Sequence, residues 1–188
     1  MTLKIITGPT TEPVTLDEAK AHCRVDGTDE DELITALIVA ARQYCEQRQN
    51  RAYLTQTLEL TLDRWPSFPV DIPHPPLVSV ESIKYYGTND KEYIWATTEY
   101  FVDTDSEPGR VALNYAKTKP TVTLRPANGV KIRYTAGGSD VAQTVKQAML
   151  LLIGHWYINR EAVLTGTISK EIEFAVAALL NIDRVWPT

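Results

Sequence analysis

Cysteine and histidine are scarce in this sequence. Its 188 residues include two cysteines, Cys23 and Cys45, and three histidines, His22, His74 and His155. The cysteines have no CxxC spacing and no second pair, so neither a zinc site nor a disulfide framework is indicated. His22 and Cys23 are adjacent, but neighbours in a helix point about 100 degrees apart and cannot face one another as base and nucleophile. We therefore predict no catalytic residue, no metal and no other cofactor.

The sequence also lacks the motifs that bind nucleotides or form a nucleophile elbow. No G-x-G-x-x-G, G-x-x-x-x-G-K or G-x-S-x-G segment occurs. The acidic run at residues 29–32 lacks the spacing and the distal Glu of a calcium loop, which favours a charged helix start. These absences predict that the protein is not an enzyme and that it acts by binding other proteins.

Excess positive charge and long hydrophobic runs are missing as well. Lys and Arg total 19 against 24 Asp and Glu, a net charge of −5, which argues against a protein that grips nucleic acid phosphates. The unbroken apolar run at residues 148–154 is far shorter than the about 20 residues of a membrane span. The N-terminal residues before Gly8 are too few for a signal-peptide core, so we expect synthesis in the cytoplasm and no membrane association.

The most apolar stretch, residues 140–161, predicts a central helix. Apolar residues recur there at three- and four-residue spacing, and the second half is apolar on its other faces too. A helix that is hydrophobic all round must be buried on all sides. We therefore expect it to pack between its own domain and a neighbouring subunit.

Helices are also predicted near both chain ends. Thr15 and Glu18 form a capping box before a short helix to about Val25, and Asp29 with Glu32 repeats the pattern before a longer helix to about Asn50. The buried stripe predicted for the longer helix is Leu33, Leu37, Ala41 and Tyr44, flanked by Ile34, Ile38 and Cys45, whereas Arg42, Glu46, Gln47 and Gln49 are predicted to face water. Ser169 is the predicted cap of a largely apolar last helix.

Between these helices the hydrophobic period changes to two. Residues 57–63 alternate Leu with polar residues, which is typical of a half-buried strand. A proline-rich connector follows at residues 65–76, and further strands are predicted at 77–86, 92–95, 100–103, 110–115, 121–125 and 130–135. The pattern predicts an α+β fold, with a helical core from residues 1–53 and 138–188 and a β-rich antiparallel insertion from residues 54–137.

The β section is rich in aromatic residues, and two interpretations stay open. Tyr85, Tyr86, Tyr93, Trp95, Tyr100 and Phe101 lie at strand spacing, which favours cross-strand packing. The alternative is a ligand- or carbohydrate-binding module in which these rings line a groove. A DNA-binding regulator is disfavoured because no basic patch is concentrated anywhere.

The order of several short segments resembles the head-tail connector (adaptor) proteins of tailed phages, prophages and gene-transfer particles. The segments that carry the resemblance span nearly the whole chain: VTLDEAK at residues 14–20, DEDELI at 29–34, NRAYLTQT at 50–57, PPLVSV at 75–80, VKIRYTAG at 130–137 and HWYINREAV at 155–163.

This resemblance implies a structural virion protein located at the head-tail junction. It implies a ring of about twelve copies under the portal protein, which extends the DNA channel and offers a surface to the next tail component, a stopper or tail completion protein. DNA would be only passing cargo, repelled by carboxylates such as Glu30, Asp31 and Glu161. Apolar surface in excess of one domain's needs indicates these candidate subunit or portal contacts: Trp156, Tyr157, Arg160, Leu179, Leu180 and Trp186.

Overall fold

The computed structural model describes residues 1–159 and 170–185. The helices in these ranges are α1 (Leu16–Cys23), α2 (Asp31–Gln49), α3 (Gln143–Ile158) and α4 (Lys170–Leu180), with a short 3-10 helix at Thr97–Glu99. The strands are β1 (Thr2–Thr7), β2 (Gln56–Leu62), β3 (Val70–Asp71), β4 (Leu77–Tyr86), β5 (Glu92–Trp95), β6 (Tyr100–Asp103), β7 (Arg110–Leu113) and β8 (Val130–Ala136). The α+β prediction is confirmed.

The chain divides into two compact units. The first, here called the β unit, comprises Met1–Pro9 and Thr55–Gly138, and the second, the helical unit, comprises Thr10–Leu54 and Ser139–Thr188. Residues 1–9 were predicted to belong to the helical core, whereas the structure groups them with the strands. The cause is β1, which pairs along its length with β2 and was not predicted as a strand.

The β unit contains two antiparallel sheets. One has five strands in the order β1-β2-β8-β4-β5, and the other has three in the order β3-β7-β6. Leu58, Leu60, Ile83 and Ile132 point to one face of the larger sheet and are buried there, as strand alternation requires. β2, β4, β5, β6 and β8 match the predicted strands closely. Residues 121–125 do not form the predicted strand and make only an isolated bridge, between Leu124 and Gly87.

Of the two predicted helix caps in the N-terminal part of the chain, one is confirmed and the other is wrong. At α1 the Glu18 amide donates to the Thr15 hydroxyl (3.2 Å) and the Thr15 amide donates to the Glu18 carboxylate (2.8 Å), so the capping box is confirmed. At α2 the N-cap residue is Glu30 and no side chain caps the helix. The predicted cap by Asp29 is therefore wrong.

The core of the helical unit lies between α2, α3 and α4. Val145, Ala148, Met149 and Leu152 of α3 are fully or almost fully buried, as the periodicity predicted, and so is Ile153 on another face of the helix. Leu150, Leu151 and Trp156 are only partly buried, and Ile158 is 79% exposed. The helix is thus not enclosed on all sides by the residues that the structure describes. None of the helices in the described ranges has the length and apolar character needed to cross a lipid bilayer.

Candidate assembly surfaces

The C-terminal half of α2 buries polar side chains that the sequence analysis assigned to water. Arg42 is 4% exposed, Glu46 4% and Gln49 1%. Arg42 donates to the carboxylates of Glu12 (2.7 Å) and Glu46 (2.8 Å), and the second oxygen of Glu46 accepts from the Tyr53 amide (2.9 Å). Burial of these charges is tolerated because each is paired and hydrogen-bonded. The prediction that Arg42, Glu46 and Gln49 face water is wrong.

Gln49 connects this network to the end of α4. Its amide oxygen accepts from the Tyr53 hydroxyl (2.6 Å), and its amide nitrogen donates to the Leu180 carbonyl (2.7 Å). The next two residues extend the grip on the backbone: Asn50 donates to the Val185 carbonyl (2.9 Å) and Arg51 to the Asp183 carbonyl (2.8 Å). We call Gln49, Asn50, Arg51 and Tyr53 the backbone clasp.

Burial raises the pKa of two side chains in this region, Tyr53 and Cys45. Burial raises the pKa of Tyr53 far above its usual range, with a contribution from the nearby negative charge of Glu46. Burial likewise raises the pKa of the neighbouring Cys45 thiol to about 12. Both groups are therefore neutral at physiological pH, and neither is set up as a nucleophile.

The predicted contact residues fall into different environments. Trp156 is half-buried and packs edge-on against Tyr44, with ring centroids 6.3 Å apart. The Tyr157 hydroxyl donates to the Glu30 carboxylate. Leu179 is partly buried against the core, and Leu180 is fully buried. Leu180 is thus a core residue, which corrects its assignment to a contact surface. Arg160 and Trp186 lie outside the described residues.

The exposed apolar surface of α4 lies elsewhere on the helix. Phe174 is 76% exposed and Ile182, just after the helix, is 67% exposed, while Ala175 and Ala178 are also exposed. Phe174, Ala178 and Ile182 follow one another at four-residue spacing, so they lie on one side of the helix. We call Phe174, Ala175, Ala178 and Ile182 the outer face of α4. The largely apolar character predicted for this helix did not separate the exposed face from the buried one.

Two of the three predicted channel-facing carboxylates, those of Glu30 and Asp31, are engaged within the chain. Asp31 pairs with Lys20 (2.6 Å), and Glu30 accepts from Tyr157. Glu161 lies outside the described residues. The helical unit as a whole has 14 Asp and Glu against 9 Lys and Arg, whereas the β unit has 10 of each, so the net charge of −5 belongs to the helical unit. Exposed carboxylates close to α2 are those of Asp26, Asp29 and Glu32.

The aromatic residues of the β unit pack mainly on one another. The Trp95 ring lies 5.0 Å from Trp65, 5.4 Å from Phe68 and 5.2 Å from Tyr100, and the Tyr85 and Tyr93 rings stack at 5.1 Å. Trp95 and Tyr100 are 4% and 5% exposed. Tyr85, Tyr93, Trp95 and Tyr100 thus make the ring contacts that strand spacing favoured. Phe101 is instead 59% exposed, and Tyr86 packs against the Arg125 guanidinium.

The opposite face of the five-stranded sheet is polar. Glu59 is 8% exposed there because Lys131 (2.9 Å) and Arg133 (2.7 Å) both donate to its carboxylate. Burial alone would raise the pKa of Glu59, but these two cations outweigh it and lower that pKa. Among the residues that the structure describes, no group of three or more His, Cys, Asp and Glu is placed to hold a metal ion.

Comparisons with known proteins give one family and several similar structures. The family model for the head completion protein matches residues 12–180. A chain in the neck of an empty gene transfer agent particle, computed with C6 symmetry, superposes with a TM-score of 0.79 at 21% identity, and a chain in the neck of the native particle, computed with C12 symmetry, with 0.78 at 20%. A chain in the virion of the native gene transfer agent gives 0.76 at 22%. Each superposition covers 100% of this chain and 97% of the other.

No curated protein sequence matches this chain. At about one residue in five identical, the structural likenesses establish a shared fold along the whole chain.

Proposed function

Because the chain belongs to the head completion protein family, a family of structural virion proteins, we propose that it is the adaptor ring of a head-tail junction. In this role it binds beneath the portal protein, extends the DNA channel and presents a surface to the next tail component, a stopper or tail completion protein. The observation that carries the proposal is the fold shared over the full chain with chains from gene transfer agent necks. A cyclic ring of about twelve copies follows if this chain assembles with the higher of the two neck symmetries.

We propose that the outer face of α4 makes contact with the portal or with the neighbouring copy. Its support is the continuous exposed apolar surface of Phe174, Ala178 and Ile182, in a segment where Glu173 is the only charge between residues 172 and 182. Ile158 at the end of α3 adds a further exposed apolar side chain. Surfaces of this kind on a soluble domain mark protein contacts. Trp156, Tyr157, Leu179, Arg160 and Trp186 remain candidate contacts in the same proposal.

The helical unit is the proposed wall of the DNA channel. Its support is the concentration of the whole net negative charge in this unit. Negative side chains repel DNA phosphates, so a duplex slides past without being held. Glu30, Asp31 and Glu161 remain candidates for this wall, joined by the exposed Asp26, Asp29 and Glu32. On this proposal the helical unit is the connector core, and residues 54–137 are an insertion into it.

The experiment mixes the purified protein with the portal protein of the same particle. Light scattering after size-exclusion chromatography measures the mass of the complex, and electron micrographs reveal an added ring. We expect wild-type protein to form this ring. Failure of wild-type protein to bind the portal would refute the adaptor role.

Matched variants separate the contact surface from the core. Phe174→Asp with Ile182→Asp should leave the far-ultraviolet circular dichroism of the monomer unchanged and abolish ring formation, because both side chains are exposed. Leu180→Asp should instead lose helical signal, because it places a charge at a fully buried position. Normal ring formation by the double variant would show that the outer face of α4 makes no contact in the assembly.

A further inference from the structure

Ile182, the last member of the outer face of α4, lies just beyond the end of that helix. The helix ends at Leu180, and one further helical hydrogen bond runs from the Asn181 amide to the Ala177 carbonyl (2.9 Å). The Ile182 side chain is 67% exposed, so packing against the core does little to fix it. Its position relative to the rest of the outer face therefore depends on the path of the main chain after the helix.

The backbone clasp fixes that path. The side-chain amide of Asn50 donates to the Val185 carbonyl (2.9 Å), and the Arg51 guanidinium donates to the Asp183 carbonyl (2.8 Å). Both bonds act on the backbone just after Ile182, while the last helical turn holds the backbone just before it. The chain is thus held on both sides of the exposed isoleucine.

The backbone conformation of Asn50 suits it to this task. Asn50 is the C-cap of α2, and its φ of 55° lies in the left-handed region that glycine and asparagine adopt most readily. It therefore ends the helix and supplies a side-chain donor at the same position. Asn50 and Arg51 also open the segment NRAYLTQT, one of those that carry the resemblance to connector proteins. Glycine at position 50 would keep the backbone conformation and remove only the donor.

A segment that is ordered before binding gives tighter binding. If a contact residue is mobile in the free protein, its conformational freedom is lost when the partner binds, and this loss lowers the affinity. The clasp holds residues 183 and 185 in the free protein. The partner therefore meets Ile182 already in place.

We infer, on the basis of the proposed contact at the outer face of α4, that Asn50 and Arg51 are positioning residues for assembly. They bind carbonyl oxygens of their own chain and act on the partner only through Ile182. By holding the main chain, they keep Ile182 in line with Phe174 and Ala178. The three side chains then form one contact surface before the portal or a neighbouring copy binds.

The test uses a release variant, defined as Asn50→Gly combined with Arg51→Ala. Gln49 and Tyr53, whose hydrogen bonds are buried, stay unchanged in this variant. Far-ultraviolet circular dichroism checks that the helical content is retained. Asn50→Gly alone removes one of the two side-chain bonds and takes the place of the release variant if the double substitution lowers the helical signal.

The first experiment measures motion at residue 182 in the free protein. A nitroxide label is attached through Ile182→Cys in a Cys23→Ser background, where the remaining Cys45 is fully buried and stays unlabelled. We expect the electron paramagnetic resonance spectrum of this label to show faster motion in the release variant. A label at Ala178→Cys, within the helix, should move equally in both backgrounds. Unchanged motion at residue 182 would overturn the inference.

The second experiment measures the protein concentration at which half of the portal carries a ring. The release variant should raise this concentration about tenfold in the wild-type background, and equally in a Phe174→Ala background. In an Ile182→Ala background the increase should be no more than about twofold, because no side chain remains there to be positioned. A residue that only stabilises the fold would not show this dependence on background.

The outcomes separate the positioning role from the proposed contact. An equal increase in all three backgrounds would indicate general loosening of the helical unit and overturn the inference. Normal assembly of the release variant, with weaker assembly of Ile182→Ala, would overturn the positioning role and leave the contact at the outer face standing. Normal assembly of both Phe174→Ala and Ile182→Ala would overturn the contact itself and, with it, the inference.

Discussion

Removal of the Tyr53 hydroxyl should destabilise the helical unit through its effect on Gln49. The hydroxyl donates to the Gln49 amide oxygen at 2.6 Å, and Gln49 is 1% exposed, so water cannot replace the lost donor. A buried polar group left without a partner costs about 1–3 kcal/mol. We expect Tyr53→Phe to lower the free energy of unfolding by this amount in urea denaturation followed by far-ultraviolet circular dichroism.

A double-mutant cycle tests the reasoning more sharply. Gln49→Met leaves two groups without partners, the Tyr53 hydroxyl and the Leu180 carbonyl, and should cost about 2–6 kcal/mol. The double variant with Tyr53→Phe leaves only the Leu180 carbonyl, so it should be more stable than Gln49→Met alone by about 1–3 kcal/mol.

Tyr53→Phe is therefore predicted to destabilise the wild-type protein but to stabilise the Gln49→Met variant. Tyr44→Phe is the matched control, because within the described residues its hydroxyl makes no hydrogen bond. Equal destabilisation by Tyr53→Phe in the wild-type and Gln49→Met backgrounds would refute the proposed coupling.

Two further predictions concern the β unit. Gly109→Ala should lower the free energy of unfolding by about 1–3 kcal/mol, because a Cβ atom at Gly109 would lie 2.5 Å from the Leu77 Cβ atom. Gly27→Ala is the control, because a Cβ atom there meets nothing within 4 Å. Urea denaturation measures the stability of both variants, and equal stability would contradict the steric argument. Hydrogen bonds from the Ser106 hydroxyl and from Arg110 lower the pKa of Asp103 to about 2. Its contribution to stability is therefore present above the unfolded pKa of about 3.9 and is lost as pH falls towards 2. The stability difference between wild type and Asp103→Asn should shrink over that window, with Asp105→Asn as control; a difference independent of pH would exclude this role.

The strands illustrate what periodicity can and cannot predict. Alternation of Leu with polar residues identified β2, because Leu58 and Leu60 lie on the buried face of the sheet. β1 was missed since an edge strand with five of its six residues exposed has no such alternation. Residues 121–125 alternate in the same way as a strand, but only Leu124 finds a bridge partner. Strand formation depends on a neighbouring strand, which local sequence does not reveal.

The helical unit shows the same limit for polar residues. Arg42, Glu46 and Gln49 are polar, so a pattern of apolar spacing assigns them to water. Their partners, Glu12, Tyr53 and Leu180, lie outside α2, and only the fold brings these groups together. Phe174, Ala178 and Ile182 could have been separated from the core by their shared four-residue spacing. The buried side of α4 is equally apolar, so apolar spacing alone does not tell the exposed face from the buried one.

The backbone clasp has a consequence for how the end of this chain tolerates change. Gln49, Asn50 and Arg51 donate to the backbone carbonyl oxygens of residues 180, 185 and 183, respectively, and every amino acid supplies such an oxygen. Side chains at positions 182 and 183 are exposed and take no part in this grip. Related proteins are thus free to alter the chemistry displayed there, and so to match a different neighbour, while the path of the main chain stays the same.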